Sequence, residues 1–308
     1  METNHPFTEQ VRLLVALLPS VAKQGCFALK GGTAINLFLR DMPRLSVDID
    51  LAYLPVEDRD ASLTAIDGAL GAIITDIEQR MTDIGVQASV LKETGKRFKL
   101  LVWQGDTNVK IEVTPVLRGS VFPAEKRQLS VKAKNVFGFA RMSVLSFEDL
   151  YAGKMCAALD RQHPRDLYDV YWLLNHECRE GLNERLKNAF LVYLMGHNRP
   201  MAELLAPQPQ DMEPLYRTEL EGMTFEPVGL EQLEETLQHL VREIHGAMTD
   251  ADRRFLLALK SGTQDWRDFF LPEVERLPAI QWKMINLARM NPSKRRQAAA
   301  KLEKILFG

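Results

Sequence analysis

The sequence predicts an α/β protein in which a mixed sheet with helices, over residues 1–145, precedes a mainly helical domain over residues 146–308. Segments that alternate apolar and polar residues, as strands do, are concentrated in the first half. A glycine turn and an Asp-x-Asp strand lie among them. In the second half the apolar residues recur at helical spacing. A length of 308 residues agrees with two domains.

The chain begins with elements that lead to the glycine turn. Residues 7–23 predict an amphipathic helix that packs on the sheet, and residues 26–30 suit a short buried strand. Gly31 and Gly32 can then turn the backbone close to a ligand. We expect Thr33 to be the N-cap of a helix whose free N–H groups face a phosphate. The alternative is a strand-to-helix turn that binds nothing.

The next predicted strand carries two carboxylates. Side chains alternate along a strand, so Asp48 and Asp50 share a face, about 7 Å apart. Two neighbouring carboxylates repel each other, and a divalent cation would relieve the repulsion. Hard oxygen ligands suit magnesium. A solvated edge strand of alternating polarity is the alternative interpretation.

A third acid lies in another alternating segment. Glu112 has apolar neighbours in the predicted strand over residues 108–114. If this strand pairs beside the strand of Asp48 and Asp50, the three carboxylates form a triad. Such a triad can bind one or two metals, activate an attacking hydroxyl and neutralise a triphosphate. Alternatively, Glu112 is an exposed strand residue beside Lys110.

The remaining elements follow from periodicity and turn residues. Residues 59–84 predict a long helix. Gly105-Asp106 predicts a hairpin turn within the group of later strands. Those strands are 86–91, 98–103, 108–114 and 128–132.

The second half predicts helices and one loop. A capping box at Ser146 begins a helix that runs to about Asp160, and Pro164 begins another helix. Five prolines within residues 199–229 predict a loop. Further helices are predicted over residues 230–260 and 265–306.

Composition narrows the class of protein. The chain is 46% hydrophobic and 26% charged, with a net charge of −2. It has no signal-like N-terminal run, no stretch of 18 apolar residues and no metal spacing among its three cysteines, so we expect a cytoplasmic protein that does not contact membranes. Residues 92–141 hold eleven lysines and arginines against four acids, and residues 283–304 hold seven against one. These stretches favour surfaces that face a polyanion, although solvated strand and helix faces are the alternative.

Two blocks carry a family resemblance. Gly-Gly-Thr-Ala-x-x-Leu at 31–37, followed by Arg-x-Ser-x-Asp-Ile-Asp-Leu at 44–51, resembles the signature of the AbiEii/AbiGii toxin family. Residues 148–154 and 161–169 resemble that family as well. The resemblance implies a DNA polymerase β-like nucleotidyltransferase fold. It also implies an enzyme that transfers a nucleotide from an NTP and releases pyrophosphate, as a toxin of a bacterial toxin–antitoxin or phage-defence system.

The resemblance also implies roles for individual residues. Lys154 would contact the triphosphate, and Asp166 would hold Lys154 or assist the incoming hydroxyl. Without the resemblance, Lys154 reads as a solvated helix lysine and Asp166 as a favourable charge at a helix N-terminus. Ser46 would hydrogen-bond a phosphate or be a site of self-modification. The implied catalytic residues are Asp48, Asp50, Glu112, Lys154 and Asp166. The implied ligands of magnesium, or of manganese instead, are Asp48, Asp50 and Glu112. The implied nucleotide-binding residues are Lys30, Gly31, Gly32, Thr33, Ser46 and Lys154.

The resemblance further implies an RNA acceptor, a tRNA 3′ end, whose extension would stop aminoacylation and translation. The antitoxin would be encoded separately, and we expect the toxin to be a monomer. Two alternatives stay open. One is transfer to a protein or a small molecule, and the other is a nucleotide-binding module without catalysis that acts through a partner.

Overall fold

The computed structural model describes residues 7–308, which form two compact units. The first unit comprises the chain up to Leu150 together with Gly222–Glu226. The second unit comprises Tyr151–Glu221 and Pro227–Gly308. The domain division at residue 145 stays a prediction.

The first unit is built on a seven-stranded mixed sheet with the order β3-β4-β5-β2-β1-β7-β6. Strands β2 and β5 are parallel, as are β1 and β7, and the other neighbours are antiparallel. The mixed α/β fold predicted from the sequence is therefore confirmed. The strands are β1 Phe27–Lys30, β2 Asp48–Tyr53, β3 Ile84–Val90, β4 Arg97–Gln104, β5 Thr107–Val113, β6 Glu125–Gln128 and β7 Arg141–Val144.

Helices cover one face of this sheet. Helix α1 (Thr8–Ala22) contacts β5 and β7, and helix α3 (Arg59–Arg80) contacts β4. Ile49 and Leu51 of β2 and Ile111 of β5 are fully buried on the covered face, while Asp50 and Glu112 alternate with them and stay partly exposed. The described helices of this unit are α1 Thr8–Ala22, α2 Gly31–Thr33 with its π-helical continuation Ala34–Leu39, α3 Arg59–Arg80, α4 Val131–Phe137 and the start of α5 Phe147–Arg161.

A short segment from later in the chain belongs to the first unit. Thr224 forms a β-bridge with Arg44, and the Leu45 N–H donates to the Met223 carbonyl at 2.8 Å. The Phe225 N–H donates to the Pro43 carbonyl, also at 2.8 Å. Backbone hydrogen bonds to this segment therefore fix residues 43–45, which lead into β2.

The second unit is helical. Leucine is the commonest of its buried side chains, and Tyr168 and Phe190 are among the largest that are fully buried. Among residues 7–308, no helix has both the length and the apolar character needed to cross a membrane. Besides the end of α5, the described helices are α6 Pro164–Trp172 with its π-helical continuation Leu173–Glu177, α7 Glu184–Gly196, α8 Met201–Leu205, α9 Glu213–Glu219, α10 Leu230–Ala247, α11 Asp250–Ser261, α12 Pro278–Arg289 and α13 Pro292–Phe307. Two 3-10 turns, Trp266–Asp268 and Val274–Arg276, precede α12.

Several predicted elements of the first unit were wrong. The strand predicted over 128–132 lies earlier, as β6 over Glu125–Gln128, because Ser130 accepts a hydrogen bond from the Ala133 N–H and caps α4 from residue 131 onward. Strand β7 was not predicted, since its four residues pair with β1 and β6 from distant parts of the chain.

In the second unit, the predicted loop over 199–229 contains α8 and α9. Pro200 and Pro214 stand at their N-termini, where the missing N–H of proline is not needed. The helix predicted over 230–260 is broken at Thr249, which forms a capping box with Asp252 and begins α11. Pro278 and Pro292 divide the segment predicted over 265–306 in the same way.

We predict that Asp252→Ala destabilises the second unit strongly. Asp252 is 1% exposed and accepts a hydrogen bond from the Lys187 ammonium at 2.8 Å and two from Thr249. Removing the carboxylate leaves the buried Lys187 charge without this partner, which costs roughly 3–5 kcal/mol of the free energy of unfolding. Asp250→Ala, which removes an exposed acid of the same helix turn, should cost less than about 1 kcal/mol. Chemical denaturation measures both losses, and equal losses would contradict the prediction.

Candidate active site

Charged side chains form a row across four strands on the face of the sheet that α1 and α3 do not cover. The strand register sets Lys30 beside Asp50, Asp50 beside Glu112 and Glu112 beside Lys99. Residues paired in register lie about 5 Å apart and point to the same face. The row therefore places two adjacent acids between two lysines. The strands of Asp50 and Glu112 are paired, which is the condition under which the three acids can form a triad.

Asp48 and Lys110 form the neighbouring row. They are paired in register on β2 and β5, two residues before Asp50 and Glu112. The Lys110 ammonium lies 3.6 Å from Asp48 Oδ1 and 3.8 Å from Glu112 Oε2. All three side chains are about a third exposed. Solvent, and hence a ligand, can reach them.

The glycine turn lies directly against this face. Gly31 has a φ of +73°, and a Cβ atom there would be 2.7 Å from Asp50 Oδ2. A Cβ atom on Gly32 would be 2.6 Å from Arg44 Nη2 and 3.0 Å from Ser46 Oγ. Side chains at these two positions would displace the carboxylate or the guanidinium. The turn brings bare backbone beside the acids, which is the geometry that a phosphate-binding turn requires.

Thr33 was expected to be the N-cap of the helix, and this prediction is wrong. The helix begins at Gly31, and the Thr33 hydroxyl, which is buried, donates to the Asp48 carbonyl at 2.5 Å. It also lies 2.9 Å from the Ser46 hydroxyl. These contacts connect the turn to the start of β2. Contact of Thr33 or Ser46 with a nucleotide, and self-modification of Ser46, stay predictions.

Arg44 also belongs to this site, although it was not predicted from the sequence. Arg44 is 2% exposed, packs against Gly32 and donates to the Leu45 carbonyl at 2.9 Å. Its place as the first residue of the Arg-x-Ser-x-Asp-Ile-Asp-Leu block was the signal that could have identified it. Lys99 and Lys110 could have been found from alternation, because Lys110 shares the face of Glu112.

In the second unit, Lys154 and Asp166 form a buried ion pair. Lys154 Nζ lies 2.7 Å from Asp166 Oδ1 and 3.0 Å from Asp169 Oδ2. Arg161 Nε lies 2.5 Å from Asp166 Oδ2. Burial by itself would raise the pKa of Asp166, but the Lys154 charge, and the hydrogen bond and charge of Arg161, outweigh it and hold that pKa below its usual range. The predicted partnership of Lys154 with Asp166 is thus present, and their catalytic roles stay predictions.

The three acids of the sheet offer a donor set that suits a hard divalent cation. Asp48, Asp50 and Glu112 provide carboxylate oxygens on one face of adjacent strands. Their arrangement is not a closed metal cage, since within residues 7–308 no three His, Cys, Asp or Glu side chains converge on one metal position. A cation of the chain itself, the Lys110 ammonium, stands between two of the acids.

The fold and these residues define a class of protein. A glycine turn enters a helix beside an Asp-x-Asp strand, and the strand paired with it carries a third acid, which is the arrangement expected of a nucleotidyltransferase. The comparison with known families agrees. Residues 12–285 match the family of nucleotidyl transferase AbiEii toxins of type IV toxin–antitoxin systems, and the chain belongs to this family. It is a nucleotidyltransferase toxin, and its type of system implies a separate antitoxin.

A solved structure supports the fold. The chain is similar to MenT4, a nucleotidyltransferase toxin from Mycobacterium tuberculosis H37Rv, with a TM-score of 0.55. The two sequences are 15% identical, and the match covers 91% of this chain and 93% of MenT4. No curated protein matches the sequence.

We predict that Gly31→Ala lowers the rate of nucleotidyl transfer by more than its loss of stability explains. The positive φ costs an alanine roughly 1–2 kcal/mol of backbone strain, and the new Cβ pushes against the Asp50 carboxylate. Gly95→Ala is the matched control, because Gly95 has a φ of +67° and nothing within 4 Å of the added Cβ. Both variants should lose similar free energy of unfolding, but only Gly31→Ala should lose roughly tenfold or more in transfer rate. Equal transfer rates in the two variants would contradict the prediction.

We predict a pH-dependent contribution of Asp166 to stability. Because its pKa is lower in the folded than in the unfolded chain, its contribution is fully present above the unfolded pKa of about 3.9. It is lost as the pH falls below that value towards the folded pKa. The difference in unfolding free energy between the wild type and Asp166→Asn should therefore be constant from pH 7 to about 5 and narrow below about pH 4. A difference that stays constant to pH 3 in urea denaturation would show that Asp166 does not titrate this way.

Proposed function

We propose that this toxin transfers a nucleoside monophosphate from an NTP to RNA, at a tRNA 3′ end, and thereby blocks translation. The observation that carries the proposal is the row Lys30–Asp50–Glu112–Lys99 with the Gly31 turn against Asp50. Adjacent acids flanked by lysines, beside exposed backbone, suit the transfer of a phosphoryl group. An extended 3′ end could not be aminoacylated, which would stop protein synthesis.

The residues of the first unit divide the work. The backbone of Gly31 and Gly32 and the Lys30 ammonium bind the triphosphate, while Asp48, Asp50 and Glu112 hold Mg²⁺, or Mn²⁺ in its place. When bound, the metal supplies charge neutralisation on the phosphates and lowers the pKa of the acceptor hydroxyl. These three acids orient the reacting groups from one face of the sheet.

In the second unit, the proposed role of Lys154 is contact with the triphosphate, and it is supported by the resemblance of residues 148–154 to the family. Asp166 and Asp169 hold the Lys154 side chain, because both carboxylates lie within 3.0 Å of its ammonium. The position of the Lys154 ammonium is therefore fixed by contacts with two carboxylates. Asp166 is therefore a positioning residue in this proposal.

A basic cavity supports an RNA acceptor. Lys126, Arg127 and Arg141 line a cavity of about 400 Å³ together with Phe38 and Gln128, at the β6 edge of the sheet. Arg127 pairs with Glu125 at 2.8 Å, and Lys126 and Arg141 leave this edge positively charged. Lysines and arginines at such an edge bind the phosphates of a nucleic acid without reading its bases.

We predict that Asp48→Asn abolishes transfer to RNA. The purified protein is incubated with Mg²⁺, total tRNA and each labelled NTP in turn, and the RNA is resolved on a denaturing gel. Loss of one acid of the triad should lower the label on tRNA by roughly 100-fold or more. Asp106→Asn is the matched control, since Asp106 is an exposed acid in the β4–β5 turn, and its labelling should equal that of the wild type.

Three outcomes would contradict parts of the proposal. Label on protein or on a small molecule instead of RNA would assign a different acceptor. Nucleotide binding with no pyrophosphate released would indicate a module without catalysis. Growth arrest of cells by a folded Asp48→Asn protein would show that toxicity does not depend on the transferase reaction.

A further inference from the structure

Lys110 stands where the acids of the site most need a positive charge. It pairs in register with Asp48, and its ammonium lies between Asp48 Oδ1 and Glu112 Oε2 at 3.6 and 3.8 Å. Lys99, which is opposite Glu112 on the same face, forms no ion pair with the acids among the described residues. The charge of Lys110 thus neutralises one acid from each of two neighbouring strands.

The contacts of Lys110 are electrostatic and loose. Both distances exceed 3.5 Å, so no hydrogen bond fixes the ammonium to either carboxylate. Its side chain is about a third exposed, so solvent and salt screen the attraction. A lysine on a flexible four-carbon stem can exchange such partners without any change in the backbone. The arrangement resembles a counter-ion that a stronger cation can displace.

We propose that Lys110 is an internal counter-ion of the carboxylates, which a divalent metal displaces when it binds. This inference rests on the proposed function, because it assumes that Asp48 and Glu112 bind the metal. Lys110 then weakens the binding of metal to the free enzyme. Once displaced, its ammonium turns to the phosphates of the NTP that accompanies the metal. Loading with metal and nucleotide together is therefore favoured over loading with metal alone.

The positions of the three acids support the displacement of Lys110 by a metal. Asp50 and Glu112 are adjacent in register, and Asp48 precedes Asp50 on the same face. Three like charges in this space repel each other in the absence of a cation. Lys110 relieves that repulsion in the free enzyme, which also accounts for acids that do not converge on one metal position among residues 7–308.

The test measures the binding of Mn²⁺ alone, without nucleotide, by electron paramagnetic resonance. Lys110→Met keeps most of the length of the side chain and removes the charge, so it should bind Mn²⁺ about 3- to 10-fold more tightly than the wild type at low salt. Lys110→Arg keeps the charge and should bind with nearly the wild-type affinity. Lys92→Met is the control, because Lys92 is an exposed lysine in the turn after β3, outside the row of acids, and it should change the affinity less than about twofold. Added salt should reduce the effect of Lys110→Met, since screening weakens the displaced contact.

The outcomes separate this inference from the proposed function. If Asp48→Asn loses Mn²⁺ binding but Lys110→Met binds as the wild type does, or more weakly, the counter-ion role is wrong and the metal site stands. If Asp48→Asn binds Mn²⁺ as well as the wild type, or if the wild type binds none, the metal site of the proposed function fails and the inference fails with it. Circular dichroism melts confirm that each variant is folded.

Discussion

The structure depends on the parallel pairing of β2 with β5. This pairing sets Asp50 beside Glu112, so two acids occupy neighbouring positions on a partly exposed face. Like charges at this separation are unfavourable without compensation. The sheet provides it through register, because Lys30 and Lys99 flank the two acids and Lys110 stands between Asp48 and Glu112. Strand order alone thus assembles a group of acids that is nearly neutral and still open to a ligand.

The same constraint explains the glycine turn. The backbone enters its helix so close to β2 that a side chain at Gly31 would meet the Asp50 carboxylate, and one at Gly32 would meet Arg44. The buried Thr33 hydroxyl keeps the turn close to β2, because it contacts the Ser46 hydroxyl and donates a hydrogen bond to the Asp48 carbonyl. The glycines are therefore required by packing within the protein as well as by any ligand. A packing role and a binding role are compatible, because close approach of the backbone to the acids is what would also bring it to a phosphate.

Alternation along single strands made the centre of the site predictable. The sequence predicts that Asp48 and Asp50 share a face, while the position of Glu112 beside them depends on the pairing of β2 with β5. Features that depend on distant parts of the chain were not predictable. The role of Thr33 depends on its bond to the Asp48 carbonyl, and β7 is a strand only because it pairs with β1 and β6. The strand predicted over 128–132 failed for a local reason, since the capping side chain of Ser130 outweighs a short alternating pattern.

The charged groups of the two units differ in a way that matters for their roles. Lys154, Asp166 and Asp169 are at least nine-tenths buried and are joined by contacts of 2.7 and 3.0 Å. Exchanging such partners would expose uncompensated charge in a nonpolar interior, so this group is suited to holding one fixed arrangement. Lys110 and its two acids are about a third exposed and lie more than 3.5 Å apart. Exchange of partners costs little there, because water stabilises each charge during the change. A site that takes up and releases a charged substrate needs charged groups that can exchange their ion-pair partners. Such groups are found on the partly exposed face of the sheet.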